Sequence, residues 1–164
     1  MTRLRRVPWR RGDDGYSFVE LLVVSAILII LASAVAPLTT VTMQRQREVE
    51  LRRSLREMRT AIDRYKDAVD LGVIGGTTVE AGNAGYPPDL ETLVNGVEVL
   101  NDEEDRKMKF LRRIPVDPFT RSREWGLRSY QDDSDSSRWG GENVYDVYSR
   151  SNAIALDGSR YTEW

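Results

Sequence analysis

Residues 21–44 of this chain contain no charged side chain, and the run LLVVSAILIILASAVAPL at 21–38 is almost wholly apolar. As a helix, the 24 uncharged residues extend roughly 36 Å at ~1.5 Å per residue, enough to cross a bilayer core of ~30 Å. A core helix of that length would need protein on every side, and the rest of a 164-residue chain is small for that task. The run therefore predicts a helix whose first half meets lipid or other helices, with a separate folded region following it.

Charge divides the chain at the same place. The first 15 residues hold Arg3, Arg5, Arg6, Arg10 and Arg11 against Asp13 and Asp14, a net of +3, while residues 16–164 hold 19 basic and 24 acidic side chains. A basic head on an acidic body is a targeting pattern. No aromatic platform or groove-reading helix accompanies the arginines, so nucleic acid is not an expected partner. The bias of positive charge toward the cytoplasm does not set the orientation, because residues 3–17 and residues 44–58 each supply five arginines. With 40% hydrophobic and 30% charged residues, wholesale disorder is excluded. The absence of Cys and His excludes a disulfide framework, a thiolate metal site, a Cys nucleophile and a His-dependent triad. No enzyme constellation emerges, and a non-catalytic role is expected.

Glu20 stands at the start of the apolar run, where an ionised carboxylate is costly unless paired. A helix N-terminus relieves part of that cost. A chain cut just before residue 16 would add an α-amino group one helical turn away. The surrounding sequence, Gly15-Tyr16-Ser17-Phe18-Val19-Glu20-Leu21-Leu22, resembles the class III signal of type IV pilins and pseudopilins: a short basic leader, a Gly, an aromatic residue, and a Glu at the fifth position of the mature chain. The resemblance implies cleavage between Gly15 and Tyr16, N-methylation of Tyr16, an assembly role for Glu20, and Pro37 as the proline common in this family. Tyr16 departs from the Phe or Met more usual there. A rival reading takes Ala34-Val35-Ala36 as an ordinary signal-peptidase site releasing a domain that begins at Pro37. The long apolar stretch and the proline after the cut weigh against it.

Beyond the run, residues 44–70 place Leu51, Leu55, Met58, Ile62, Tyr65 and Val69 at spacings of 4, 3, 4, 3 and 4. This is one apolar stripe on a helix. Neither Gly nor Pro interrupts residues 38–71, so one helix is expected over 18–70, about 80 Å long, with a kink or loosening at Pro37. The stripe reads either as a coiled-coil seam or as the face on which a small domain folds. Its Tyr and Met content suits the domain.

Residues 71–88 are Gly-rich and end in Pro87-Pro88, which predicts a loop. A helix is expected to start near Pro88-Asp89, and a second short helix over residues 107–113. Strands are expected over residues 124–130, 143–149, 153–156 and 159–162, the last two flanking the Asp157-Gly158 turn. Three or four antiparallel strands would lie across the helix stripe, and residues 132–143 would form a mobile loop. Trp125, Trp139 and Trp164 suit core or edge packing better than a sugar platform. The expected fold class is α+β: a long N-terminal helix, its first half membrane-embedded, packed on a small C-terminal antiparallel β-sheet.

YPPDLETLV, IPVDPFT, a Trp, VYDVYS and ALDG followed by Tyr161 and Trp164 extend the resemblance, which is to the major pseudopilins of type II secretion. It implies a pilin-like fold with a leader at 1–15, a transmembrane and assembly half at 16–43, an amphipathic half at 44–70, and a periplasmic region at 71–164 that folds with 44–70. It further implies a structural subunit in the bacterial inner membrane, N-terminus cytoplasmic and C-terminal domain periplasmic. Such a subunit polymerises into a homo-oligomeric helical filament that drives folded proteins through the outer membrane. The implied partners are other pseudopilins, a prepilin peptidase, an inner-membrane assembly platform and membrane lipid. A surface-fibre or DNA-uptake pilin subunit remains an alternative, as does a signal-anchored or secreted domain unrelated to filaments.

Asp132, Asp133, Asp135 and Asp157 are the candidate ligands for a hard cation such as calcium. Related major pseudopilins often bind calcium in this region. Here the corresponding segment, residues 149–157, carries Arg150 and keeps only Asp157. A solvated acidic loop, with no metal or cofactor, is the expectation.

Overall fold

A computed structural model describes residues 17–75, 83–100 and 106–164, with the side chains of residues 34–39 outside the description. The protein is α+β. Helix α1 (Phe18–Asp70) is followed by a short helix α2 (Leu90–Asn95), strands β1 (Val97–Glu98), β2 (Lys107–Met108), β3 (Gly126–Arg128) and β4 (Asp146–Tyr148), and a 3-10 turn at Tyr161–Glu163. Two compact units divide the chain, Met1–Thr40 and Val41–Trp164.

The second unit is organised by the stripe. Leu51, Leu55, Met58, Ile62 and Tyr65 are buried and Val69 packs against the same core, which Ala61, Leu93, Val97, Leu111, Trp125, Val144, Val147 and Tyr161 complete. The stripe is thus a domain core and not a zipper seam. Burying such side chains is worth about 1.5–3 kcal/mol each relative to exposure.

Helix α2 begins as its sequence requires. The Asp89 carboxylate accepts the Thr92 amide at 2.7 Å and the Thr92 hydroxyl at 2.6 Å, satisfying a donor that the first turn leaves free. Leu90 and Leu93 are buried, and Gly96 ends the helix at φ 83°.

The β structure differs from the expected three- or four-stranded sheet. Among the described residues it consists of two separate antiparallel pairs, β1–β2 with Val97 opposite Met108, and β3–β4 with Leu127 opposite Val147. Residues 107–113 do not form a helix. Met108 pairs with Val97, and the Phe110 and Leu111 amides both donate to the Leu93 carbonyl at 3.0 and 2.9 Å, a carbonyl in the last turn of α2. The Asp157-Gly158 turn is present, but its flanks share a single bridge, Ile154 to Arg160. Side-chain hydrogen bonds replace the ladder beyond β4. Ser149 Oγ donates to Asp117 Oδ2 at 2.6 Å and accepts the Ser151 amide at 3.1 Å.

Residues 132–143, expected to be mobile, are instead tied down. Asp132 Oδ2 accepts the Ser129 amide at 2.7 Å and the Gly140 amide at 3.0 Å. The Tyr148 hydroxyl donates to the Ser137 carbonyl, and the Trp139 indole donates to the Asn143 carbonyl.

Candidate functional site

Two features of α1 carry functional weight, one in each unit. In the first unit, all sixteen residues from Phe18 to Ser33 are exposed. Phe18 is 77% accessible, Leu28 59% and Ile30 68%, values far above those of a packed helix face. Every side of this segment, not one stripe, is apolar and uncovered. Glu20 lies in its first turn and is itself exposed. The Leu21 amide donates to the Ser17 carbonyl at 3.0 Å, so the helical hydrogen bonding reaches back to residue 17. Ser33 Oγ returns a hydrogen bond to the Ile30 carbonyl at 2.7 Å, so its hydroxyl is satisfied within the helix.

Among the described residues no helix is long and apolar enough to cross a membrane. The described side chains of the apolar run stop at Ser33 and resume at Thr40. Gly15 and Tyr16, the predicted cleavage pair, lie outside the described residues, as do the whole 1–15 leader and the Pro37 side chain. The backbone at 37 belongs to α1, which continues through it.

In the second unit, polar side chains fasten the C-terminal region to α1. Glu48 Oε1 accepts the Leu156 amide at 2.8 Å, the Tyr161 hydroxyl at 2.9 Å and the Gln44 amide at 3.4 Å. Gln44 also donates to the Ile154 carbonyl at 3.0 Å. Three turns further along, Arg59 donates to Asp146 at 2.6 and 3.3 Å, and to the Val147 and Trp164 carbonyls at 3.1 and 3.0 Å. Asp146 also accepts Arg128 at 3.4 Å, and the Arg128 guanidinium lies 4.3 Å from the centre of the Tyr148 ring. Burial pushes the Tyr161 phenol above its ordinary pKa; the Gln44 amide draws it down and the Glu48 carboxylate pushes it further up.

Glu48 and Gln44 are the positions that reading apolar periodicity alone passes over. They continue the stripe backwards from Leu51 at the same spacings of 3 and 4, so the signal was position and not hydropathy.

The structure does not gather the four aspartates proposed for calcium. Asp132 is occupied by the Ser129 and Gly140 amides, which hold its carboxyl below the usual range. Asp157 accepts the Ser159 hydroxyl at 2.6 Å and the Ser159 amide at 2.9 Å, and meets Arg52 at 3.5 Å; the Ser159 contacts, hydroxyl first, lower its pKa. Asp133 and Asp135 are exposed. Among the described residues no group of three or more potential ligands converges on one point.

The tryptophans divide between core and edge. Trp125 is buried, with its indole donating to the Pro115 carbonyl at 3.0 Å. Trp164 packs on the core beside Tyr161, and Trp139 lies at the surface.

Against this geometry, comparisons with protein-family profiles, with characterised proteins and with solved structures return no match.

Proposed function

We propose that this chain is a pseudopilin-type structural subunit, anchored in the inner membrane by the first half of α1 and polymerised through that same segment into a short periplasmic filament. The observation that carries the reading is the uncovered apolar surface of residues 18–33 with an acid in its first turn. Such a surface is stable only in lipid or among like helices. Moving from lipid to a bundle conserves apolar burial, so the transfer leaves the register to be set by a polar contact. Glu20 supplies it, by pairing with the α-amino group that cleavage before Tyr16 would create on an adjacent subunit. A buried pair of this kind fixes register more than it adds stability.

The α+β second unit, clasped onto α1 by Glu48 and Arg59, supports a pilin-like arrangement in which the domain travels with its helix. The role is mechanical: filament growth pushes folded proteins through an outer-membrane channel. Prepilin peptidase, other pseudopilins and an inner-membrane platform are the partners this role requires.

Intact mass and N-terminal sequencing of the protein recovered from membranes test the reading. A mature chain beginning at N-methylated Tyr16 is the expected result. A chain beginning at Met1 or Pro37 would overturn it in favour of a signal-anchored or secreted domain.

A further inference from the structure

We propose that an arginine-lined groove on the second unit receives the acidic 130–145 loop of a second copy of this chain. The inference rests on the filament reading and adds to it a contact between neighbouring C-terminal units.

Beyond Arg45 and Arg47, the cations of α1 fall into two sets. Arg52, Arg59 and Lys66 are seven positions apart, so they share one flank of the helix. All three are engaged within the chain. Arg52 lies 4.2 Å from the centre of the Trp164 ring and pairs with Asp157, Arg59 pairs with Asp146, and Lys66 pairs with Asp70 and faces the Tyr86 ring at 5.8 Å.

Toward the other flank, α1 and the Phe110–Arg112 stretch enclose an open groove of about 510 Å³ lined by Arg53, Arg56, Arg64 and Arg112, with Arg56 between the two flanks and also beside Arg52 and Arg59. All four are exposed, and among the described residues none of their side chains takes part in an ion pair or a hydrogen bond. Among the described residues, Glu57 is the one carboxylate in the lining. Four cations against one acid repel each other until an anion joins them. The groove also runs against its surroundings, since residues 41–164 hold 19 basic and 23 acidic side chains. A second copy of so acidic a unit is therefore an electrostatically suitable occupant.

The loop between β3 and β4 supplies the matching surface. Asp133, Asp135 and Glu142 are exposed, and among the described residues they form no ion pair. The loop is held in shape by Asp132, and its base is the edge-to-face contact of Tyr130 with Tyr145, ring centres 5.4 Å apart. Tyr130 also stacks on Tyr86, ring centres 5.7 Å apart, and the exposed parts of Tyr130 and Tyr145 with the loop carboxylates suit guanidinium groups, which pack on the one and fork onto the other.

The loop and the groove do not meet within one copy. β4 is held to α1 by Arg59, whereas Arg64 lines the groove. Five positions apart on a helix, these residues point about 140° from each other. Two different complementary patches on one chain define a heterologous contact, the kind that builds open helical filaments.

The test uses the full-length chain, which contains no cysteine. Arg112→Cys with Glu142→Cys in one chain should give, on oxidation of assembled filaments, a reducible ladder of covalent oligomers, while each single variant gives none. Adding Arg53→Glu with Arg64→Glu should reduce the ladder about tenfold or more. Adding Asp133→Arg with Asp135→Arg to that chain should restore it, a rescue that a folding defect would not show. Filaments that form without a ladder would overturn this contact and leave the filament reading standing. So would a ladder indifferent to charge reversal. Absence of filaments from the unaltered chain would remove both.

Discussion

The Glu48 carboxylate accepts the Tyr161 hydroxyl at 2.9 Å, joining residues 113 positions apart. The same oxygen accepts the Leu156 amide, and the Gln44 side chain reaches both Glu48 and Tyr161. The contact sits at the N-terminal end of the stripe, where the segment after β4 returns to α1. Tyr161 is fully buried and stacks on Phe119 with ring centres 4.0 Å apart, so its hydroxyl has no access to water as a substitute partner. Helix and C-terminal region are therefore fastened by polar groups buried together, a device that works only while every member is satisfied.

Glu48→Ala should accordingly destabilise the second unit by about 2–3 kcal/mol, because it strands the Leu156 amide and the Tyr161 hydroxyl. Tyr161→Phe, which removes the hydroxyl and keeps the ring, should cost about 1 kcal/mol. Because burial and Glu48 raise the Tyr161 pKa, this contact is complete below the ordinary tyrosine value of about 10 and is lost as pH rises through the higher folded value. Urea unfolding of the full chain in detergent, followed across alkaline pH, measures all three. Equal stability of Glu48→Ala and the unaltered chain would show that the clasp contributes nothing.

Gly126 is a second fixed point. A Cβ there would fall on the ring of Tyr148, well inside contact distance of three ring atoms. That ring carries the Arg128 guanidinium on its face and donates its hydroxyl to Ser137. Gly126→Ala must push the ring away from both, and an overpacking cost of about 1–3 kcal/mol is expected. Pairing the change with Tyr148→Leu should recover part of that loss. A thermal midpoint unaffected by Gly126→Ala alone would contradict the close approach.

What could be read in advance follows the range of each interaction. The stripe from Leu51 to Val69 was legible because helical periodicity is local, and the start of α2 was legible because Asp89 acts on Thr92 only three residues away. The β pairs were not. Val97 meets Met108 eleven positions further on, and a two-residue strand leaves no alternation to detect. Residues 107–113 have the composition of a helix, and the pull of the Leu93 carbonyl and of the core on Phe110 and Leu111 overrides it. The clasp was hidden for a different reason. Gln44 and Glu48 occupy stripe positions with polar side chains whose partners lie more than a hundred residues away.

Acidification should loosen the loop between β3 and β4. The Ser129 and Gly140 amides hold the Asp132 carboxyl below the ordinary carboxylate value of about 3.9. A depressed folded pKa means that the contribution is fully present above the ordinary value and is lost as pH falls through the lower, folded one. The Gly140 amide resonance in ¹⁵N-glycine-labelled protein should therefore titrate in that acidic window. In Asp132→Asn the titration should vanish, and the loop should lose protection from hydrogen exchange at neutral pH. An Asp132→Asn protein with an unchanged Gly140 amide would refute the tether.

On the proposed filament reading, Glu20 separates anchoring from assembly. It lies in the first turn of α1, and nothing in residues 21–33 offers it a charged partner. Replacing it with Ala removes an acid from the end of an apolar helix and makes insertion, if anything, easier. The Glu20→Ala chain should therefore fractionate with membranes and be trimmed at the same bond as the unaltered chain. Filament yield should fall by about tenfold or more, the effect of about 1.4 kcal/mol or more at each subunit addition. Glu20→Asp keeps the charge but shortens the reach, and should fall between the two. Electron microscopy of sheared filaments, read beside membrane fractionation and intact mass, separates the outcomes. Loss of insertion would assign Glu20 to targeting. Undiminished filaments from Glu20→Ala would assign the register to another contact, leaving the carboxylate without a part in assembly.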